Sequence, residues 1–181
     1  GNTVAVTTYD TAGVAAANII DGSTNLASDT IVAGALSGPT TFTLATTTPG
    51  VESVGTATFD VAGRIKSGGR IVLVFAENQE MAATPTVDFT SPAGGETVAA
   101  KAWDQTTSTL VITTGGTAIA AGATVTFTIQ NVRSPSSVNG GTGNTVAVTT
   151  YDTAGVAAAN IIDGSTNLAS DTIVAGALSG P

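Results

Sequence analysis

The chain has 181 residues, a formal net charge of −8, no cysteine and no histidine. The acidic balance argues against nucleic acid, which demands a basic footprint, and against anionic membrane surfaces. Without cysteine there are no disulfides or thiolates, and without histidine no Ser-His-Asp or Cys-His device.

Val4, Val6 and Thr8 alternate with Ala5, Thr7 and Tyr9, the period-two pattern of a half-buried strand. Asp10 to Gly13 reads as a turn, with Gly13 suited to positive φ. Val14 to Ile20 reads as a returning strand, Asp21 to Asn25 as a second turn, and Ile31-Val32 as a short apolar patch before Gly38-Pro39. Phe42 and Leu44 alternate with Thr41, Thr43 and Thr46 until Pro49-Gly50. Ala57, Phe59 and Val61 share one face of the next strand, opposite Thr56, Thr58 and Asp60. Ile71 to Phe75 is continuously apolar and predicts a central strand buried on both faces. The irregular stretch Glu77 to Thr84 predicts at most one helical turn. Val87 with Phe89, Thr97 to Trp103, Leu110 to Ile112, and Val125, Phe127 and Ile129 complete the strand series. Ser134 to Gly141 is the most linker-like segment.

After that segment the sequence starts again: residues 143–181 repeat residues 1–39 without a mismatch. A shift of 142 positions is longer than the roughly 20–50 residues of solenoid repeats, so each period reads as a domain, a bead on a string. The expected organisation is a first copy at 1–39, a core module at 40–142, and a second copy at 143–181 that serves as an arm or starts the next module. With Gly rather than Met at position 1 and no visible signal peptide, the chain reads as a processed product or an excerpt of a longer polypeptide. Val4, Val6 and Thr8, and their equivalents Val146, Val148 and Thr150, are the expected inter-module strand residues, able to complete a sheet edge by strand addition.

The 34 threonines, abundant Val, and turn signals every 8–12 residues predict an all-β fold of eight to ten strands per period. An immunoglobulin-like antiparallel β-sandwich repeat with extended β arms fits this pattern best. No apolar run approaches 18 residues, so no membrane insertion is expected. The run Thr3 to Ala15, followed by Ile20-Asp21-Gly22, resembles the strand–Asp-x-x-Gly–strand hairpin of bacterial Ig-like repeats in surface adhesins. Ala121 to Ile129 resembles the strand entry of the same domains, and the whole period is similar to the Thr/Ala/Gly-rich repeats of very large secreted algal and oomycete proteins. The resemblance implies an extracellular or cell-surface location and a structural or adhesive role, and it carries over no catalytic residue.

Several residues are weighed as sites. Glu77 and Glu80 form an acidic pair, read as a solvated loop rather than as catalytic, and no cofactor is expected. Asp21, Ser23 and Asn25 place oxygens at alternate positions like the start of a calcium loop, which Asp10 and Asp29 would complete if folding gathered them; a simple turn is the blander reading. Lys66 or Lys101 with Asn78 or Asn131 would suit an isopeptide bond, or else the lysines snorkel. Thr41/Thr43, Thr56/Thr58 and Thr124/Thr126/Thr128 would make a hydroxyl array for ice or mineral, and Trp103, Tyr9 and Tyr151 would stack on sugar; ordinary outward threonines and a core Trp are the alternatives. Gly94-Gly95 and Gly115-Gly116 read as turns rather than phosphate loops. The expected activity is self-association of neighbouring copies in a filament or stalk, with adhesion to carbohydrate, ice or another surface as the alternative, and the Thr-rich surface is a candidate for O-linked glycan.

Overall fold

Alternating β-branched segments separated by Gly and Asp turns favour strands throughout. The computed structural model, which describes residues 3–15, 19–27, 30–75, 79–138 and 145–175, is accordingly all-β, with one 3₁₀ turn at Ala158–Asn160 and no α-helix among those residues. The chain divides into two compact units, Gly1–Val32 and Ala33–Pro181.

The first unit is a hairpin of β1 (Thr3–Tyr9) and β2 (Ile19–Ala27), paired antiparallel from Thr3↔Ala27 to Tyr9↔Ile19. The expected extended arm is thus folded back on itself. The connecting turn forms as predicted: Asp10 Oδ1 accepts the Ala12 N–H at 2.7 Å, and Gly13 takes φ +110°. Asp21 to Asn25, expected as a turn, is instead strand. Its acid is satisfied across the pair by Thr8 and has no need of a loop.

The second unit contains β3 (Gly34–Ala35), β4 (Ser37–Leu44), β5 (Glu52–Asp60), β6 (Arg70–Phe75), β7 (Val87–Ser91), β8 (Glu96–Asp104), β9 (Thr109–Gly116), β10 (Thr124–Arg133), β11 (Val146–Tyr151) and β12 (Ile161–Ser170). They follow one hydrogen-bonded path, β7-β10-β5-β4-β12-β11-β6-β9-β8, with β3 beside β12. The path curls until its end strands β7 and β8 lie near each other, so the sheet is nearly closed and barrel-like. Every pairing among the described residues is antiparallel except two made by β12, which runs parallel to β3 (Asp163↔Gly34) and to β4 (Ala169↔Thr41, Ser170↔Phe42) while pairing antiparallel with β11.

Inward positions fill the interior. Phe42, Phe59, Phe127, Leu73, Leu110 and Ile112 are fully buried. Phe75 stands edge-on to Phe42 at 5.3 Å and to Trp103 at 5.5 Å; Phe127 does the same with Phe59 and Phe89. Such pairs add about 0.5–1.5 kcal/mol beyond their burial. The apolar run of β6 is buried at Ile71, Val72, Leu73 and Phe75, but Val74 is 43% exposed, so the expected burial on both faces is complete on one face only. The start of the linker-like segment is pinned rather than free: buried Ser134 donates its hydroxyl to the Thr48 carbonyl at 2.6 Å, and the Pro135 carbonyl accepts from Gly50 N–H at 3.0 Å. In Glu77 to Thr84, residues 77–78 lie outside the described set and the remainder is non-helical.

Candidate functional site

The repeated segment appears in the fold twice, in two environments. β11 pairs with β12 in the register that joins β1 to β2: Val146↔Leu168, Val148↔Thr166, Thr150↔Asp163 and Tyr151↔Ile161 correspond to Val4↔Leu26, Val6↔Thr24, Thr8↔Asp21 and Tyr9↔Ile19. The local polar bonds repeat too. Thr8 Oγ1 donates to Asp21 Oδ2 at 2.7 Å and receives the Asp21 N–H at 3.1 Å; Thr150 and Asp163 do the same at 2.8 and 3.0 Å. The hairpin therefore carries its own geometry, whatever surrounds it.

Burial separates the two copies. Val4, Val6, Leu26 and Ile31 are 54, 42, 51 and 83% exposed, whereas Val146, Val148, Leu168 and Ile173 are 1, 0, 0 and 7% exposed. The second copy is inserted between β4 and β6. β11 forms an antiparallel ladder with β6 from Val146↔Phe75 to Tyr151↔Arg70, and β12 runs beside β3 and β4. Each apolar side chain so buried contributes about 1.5–3 kcal/mol relative to exposure.

Polar contacts fix the position. Asp163, fully buried, accepts the Gly63 N–H at Oδ1 (3.0 Å) while Thr150 holds Oδ2. Gly34 lies so close that a Cβ there would stand 2.5 Å from Asp163 Oδ1. At the far end Asp171 Oδ2 accepts the Leu44 N–H at 2.8 Å, and Val174 N–H reaches the Thr47 carbonyl at 3.0 Å. Of the six expected strand residues, Val146, Val148 and Thr150 are buried in the inserted hairpin, while Val4 and Val6 are exposed and Thr8 is clasped to Asp21. Asp163, Gly63, Gly34 and Leu168 did not stand out in the sequence; the available signal was an acid placed thirteen residues after a threonine in both copies.

The other candidates are dispersed. In the second copy Asp163 is buried while Ser165 and Asn167 are exposed, so these oxygens face apart; the side chains of Ser23 and Asn25 and all of Asp29 lie outside the described residues. Among the described residues no cluster of three or more acidic side chains is placed to hold a metal. Lys101 lines a groove between β7 and β8 with Asp88 and Glu96, Asn131 lines a different hollow with Glu52, Glu80 and Arg133, Lys66 is exposed, and Asn78 lies outside the described set. Of the acidic pair, Glu80 is exposed, 3.9 Å from Arg133, and Glu77 lies outside the described residues. Trp103 is core: it packs on Phe75 and donates its indole N–H to Gln105 Oε1 at 2.9 Å. Tyr9 and Tyr151 are half-buried. Gly94-Gly95 is a bend just before β8, as expected, but Gly115-Gly116, expected as a turn, is the end of β9, where the two glycines pair with Thr97 and Glu96.

The threonine pairs do converge. Across β4, β5 and β10 the registers align Thr43, Thr56 and Thr128 in one row and Thr41, Thr58 and Thr126 in the next, all facing away from the core. Thr126 and Thr58 are linked through their hydroxyls at 3.3 Å.

No family model matches the chain, and no curated protein or solved structure matches it.

Proposed function

We propose that this chain is a structural repeat of an extracellular or cell-surface filament or stalk, and that its copies associate by sharing β-strands between neighbouring modules. One observation carries the reading: a single 39-residue sequence occurs twice, once as an interior hairpin of the sheet and once as a hairpin with its apolar residues exposed. A protein whose surface hairpin duplicates a piece of its own interior has a ready partner in another copy of itself. The fold of the repeat is read as an immunoglobulin-like sandwich whose two blocks, β7-β10-β5-β4 and β12-β11-β6-β9-β8, are bridged by the short β4–β12 pairing. The reading assigns no catalytic role and no cofactor, and it makes neighbouring copies the principal partner. Electron microscopy of the native assembly tests it: ordered fibres with an axial repeat of one module support the proposal, and isolated monomeric beads overturn it.

The threonine grid favours a second reading, adhesion to a crystalline surface such as ice or mineral. Its hydroxyls repeat at roughly 4.7–4.9 Å across strands and roughly 6.6–6.8 Å along them, a regular two-dimensional lattice. Ice-affinity partitioning is the check: uptake that is lost on Thr58→Lys would establish adhesion, and partitioning no better than that of the substituted protein would remove it.

A further inference from the structure

We propose that the β1–β2 hairpin is a donor element for a second copy of this chain, seated between β4 and β6 of that copy, and that it is barred from the slot of the module that follows it in its own chain. The inference rests on the self-association reading above and names its acceptor site and its direction.

The occupant of the slot is known in sequence. Residues 145–174 fill it, and residues 3–32 are identical to them. The donor is also preorganised. Its strand register and its Thr8–Asp21 clasp already match those of the seated hairpin, so seating adds contacts without refolding the element. The contacts to be added are those that β11–β12 makes: a ladder along β6, Gly63 N–H on the aspartate, and burial of two valines, a leucine and an isoleucine.

Chain connectivity decides which slot is open to it. In the slot, the aspartate must lie beside Gly34 and the alanine that ends the hairpin beside Thr41, because β12 runs parallel to β3 and β4. For the first copy these residues are Asp21 and Ala27. A chain leaving Ala27 beside Thr41 would have to run back along the whole strand to reach Gly34, and residues 28–33 are all that join them. Parallel neighbours require a crossover of about a dozen residues or more. The seated hairpin meets that demand differently: it is reached from β10 through residues 134–145 and pairs antiparallel with β6. Thus β1–β2 can serve a module ahead of it in the same chain or a module in another chain, and never the one behind it.

The test uses full-length chains. Val148→Asp places a charge in a fully buried position and ejects the resident hairpin. That variant is expected to form dimers and longer head-to-tail oligomers by light scattering, whereas Val6→Asp remains monomeric. The double variant Val6→Asp/Val148→Asp keeps an open slot but has no competent donor. It is expected to stay monomeric, to lose the native Trp103 fluorescence, and to recover it in a one-to-one complex with the unsubstituted chain but not with Val6→Asp. A monomeric Val148→Asp chain with native Trp103 fluorescence would mean that the first hairpin had closed its own slot, and would overturn the proposal. So would a double variant that oligomerises or that fails to bind the unsubstituted chain. Absence of native fibres would remove the filament reading and leave this exchange standing; failure of exchange would leave a filament built from closed modules.

Discussion

Leu26 and Leu168 have the same neighbours in sequence and the same cross-strand partner type, yet one is half exposed and the other is sealed in the sheet. Burial alone separates them, which makes the pair an internal control. Leu168→Ala is expected to lower the stability of the second unit by about 2–5 kcal/mol, and Leu26→Ala by less than about 0.5 kcal/mol, in chemical denaturation followed by Trp103 fluorescence. Asp163 makes the parallel case for polar groups. Asp163→Ala strands the Gly63 N–H and the Thr150 hydroxyl inside the sheet, at about 1–3 kcal/mol for each unsatisfied group, while Asp21→Ala is expected to leave the same denaturation curve unmoved. Sequence reading assigned Asp21 to a turn because Asp-Gly-Ser-Thr-Asn is turn composition. Thr8, the partner that holds it in a strand, lies thirteen residues away across the hairpin, and its equivalent Asp163 is also bonded to Gly63 one hundred residues away, beyond any local pattern. Asp104 is held locally by contrast. Thr106 N–H and then the Thr107 hydroxyl, in the turn between β8 and β9, hold its carboxyl below its ordinary value. The folded-state value is depressed, so what that turn contributes is present above the ordinary carboxylate pKa and is lost as pH falls through the lowered one.

Strands were the readable elements. Period-two alternation located β4, β5 and β10 and their inward faces, the run Thr97 to Trp103 located β8 without its faces, and continuous apolarity marked β6 as interior. The threonine pairs were visible one strand at a time. Their assembly into a grid was not, because it depends on β4–β5 and β5–β10 registers set by long-range pairing. The hairpin was half readable: β1 and the Asp10 turn appeared, but β2 begins at Ile19 rather than at Val14, and in the second copy a 3₁₀ turn at Ala158–Asn160 precedes β12. Lone two-stranded hairpins are marginal in water, so identical sequences should differ in their opening. Hydrogen exchange read residue by residue is expected to find the amides of Val146 to Tyr151 protected by at least about tenfold more than those of Val4 to Tyr9, since only the former ladder onto β6. Equal protection in the two copies would show that sheet insertion is not what stabilises the hairpin.

At the scale of the molecule, the division between units falls between Val32 and Ala33, seven residues inside the repeated segment. Nothing in composition marks that point, because the sequence on either side recurs unchanged 142 positions later. Closure marks it instead. The tail of the first copy supplies β3 and the start of β4, which are the parallel partners of β12 in the second. One full period therefore closes in the phase 33–174. Removal of residues 1–32 is expected to leave the thermal midpoint of the second unit within about 2 °C. Removal of residues 143–181 opens the sheet between β4 and β6 and is expected to abolish the cooperative transition, as calorimetry would record.

The parallel seam has a mechanical meaning. Where such modules follow one another in a chain, tension enters at Gly34 and leaves beyond Ser170, along adjacent strands that point the same way. The two ends are then pulled in opposite directions past each other, and the β3–β12 and β4–β12 bridges share the load in shear instead of parting one by one like a zipper. The strand that completes the sheet is also the strand that resists the pull.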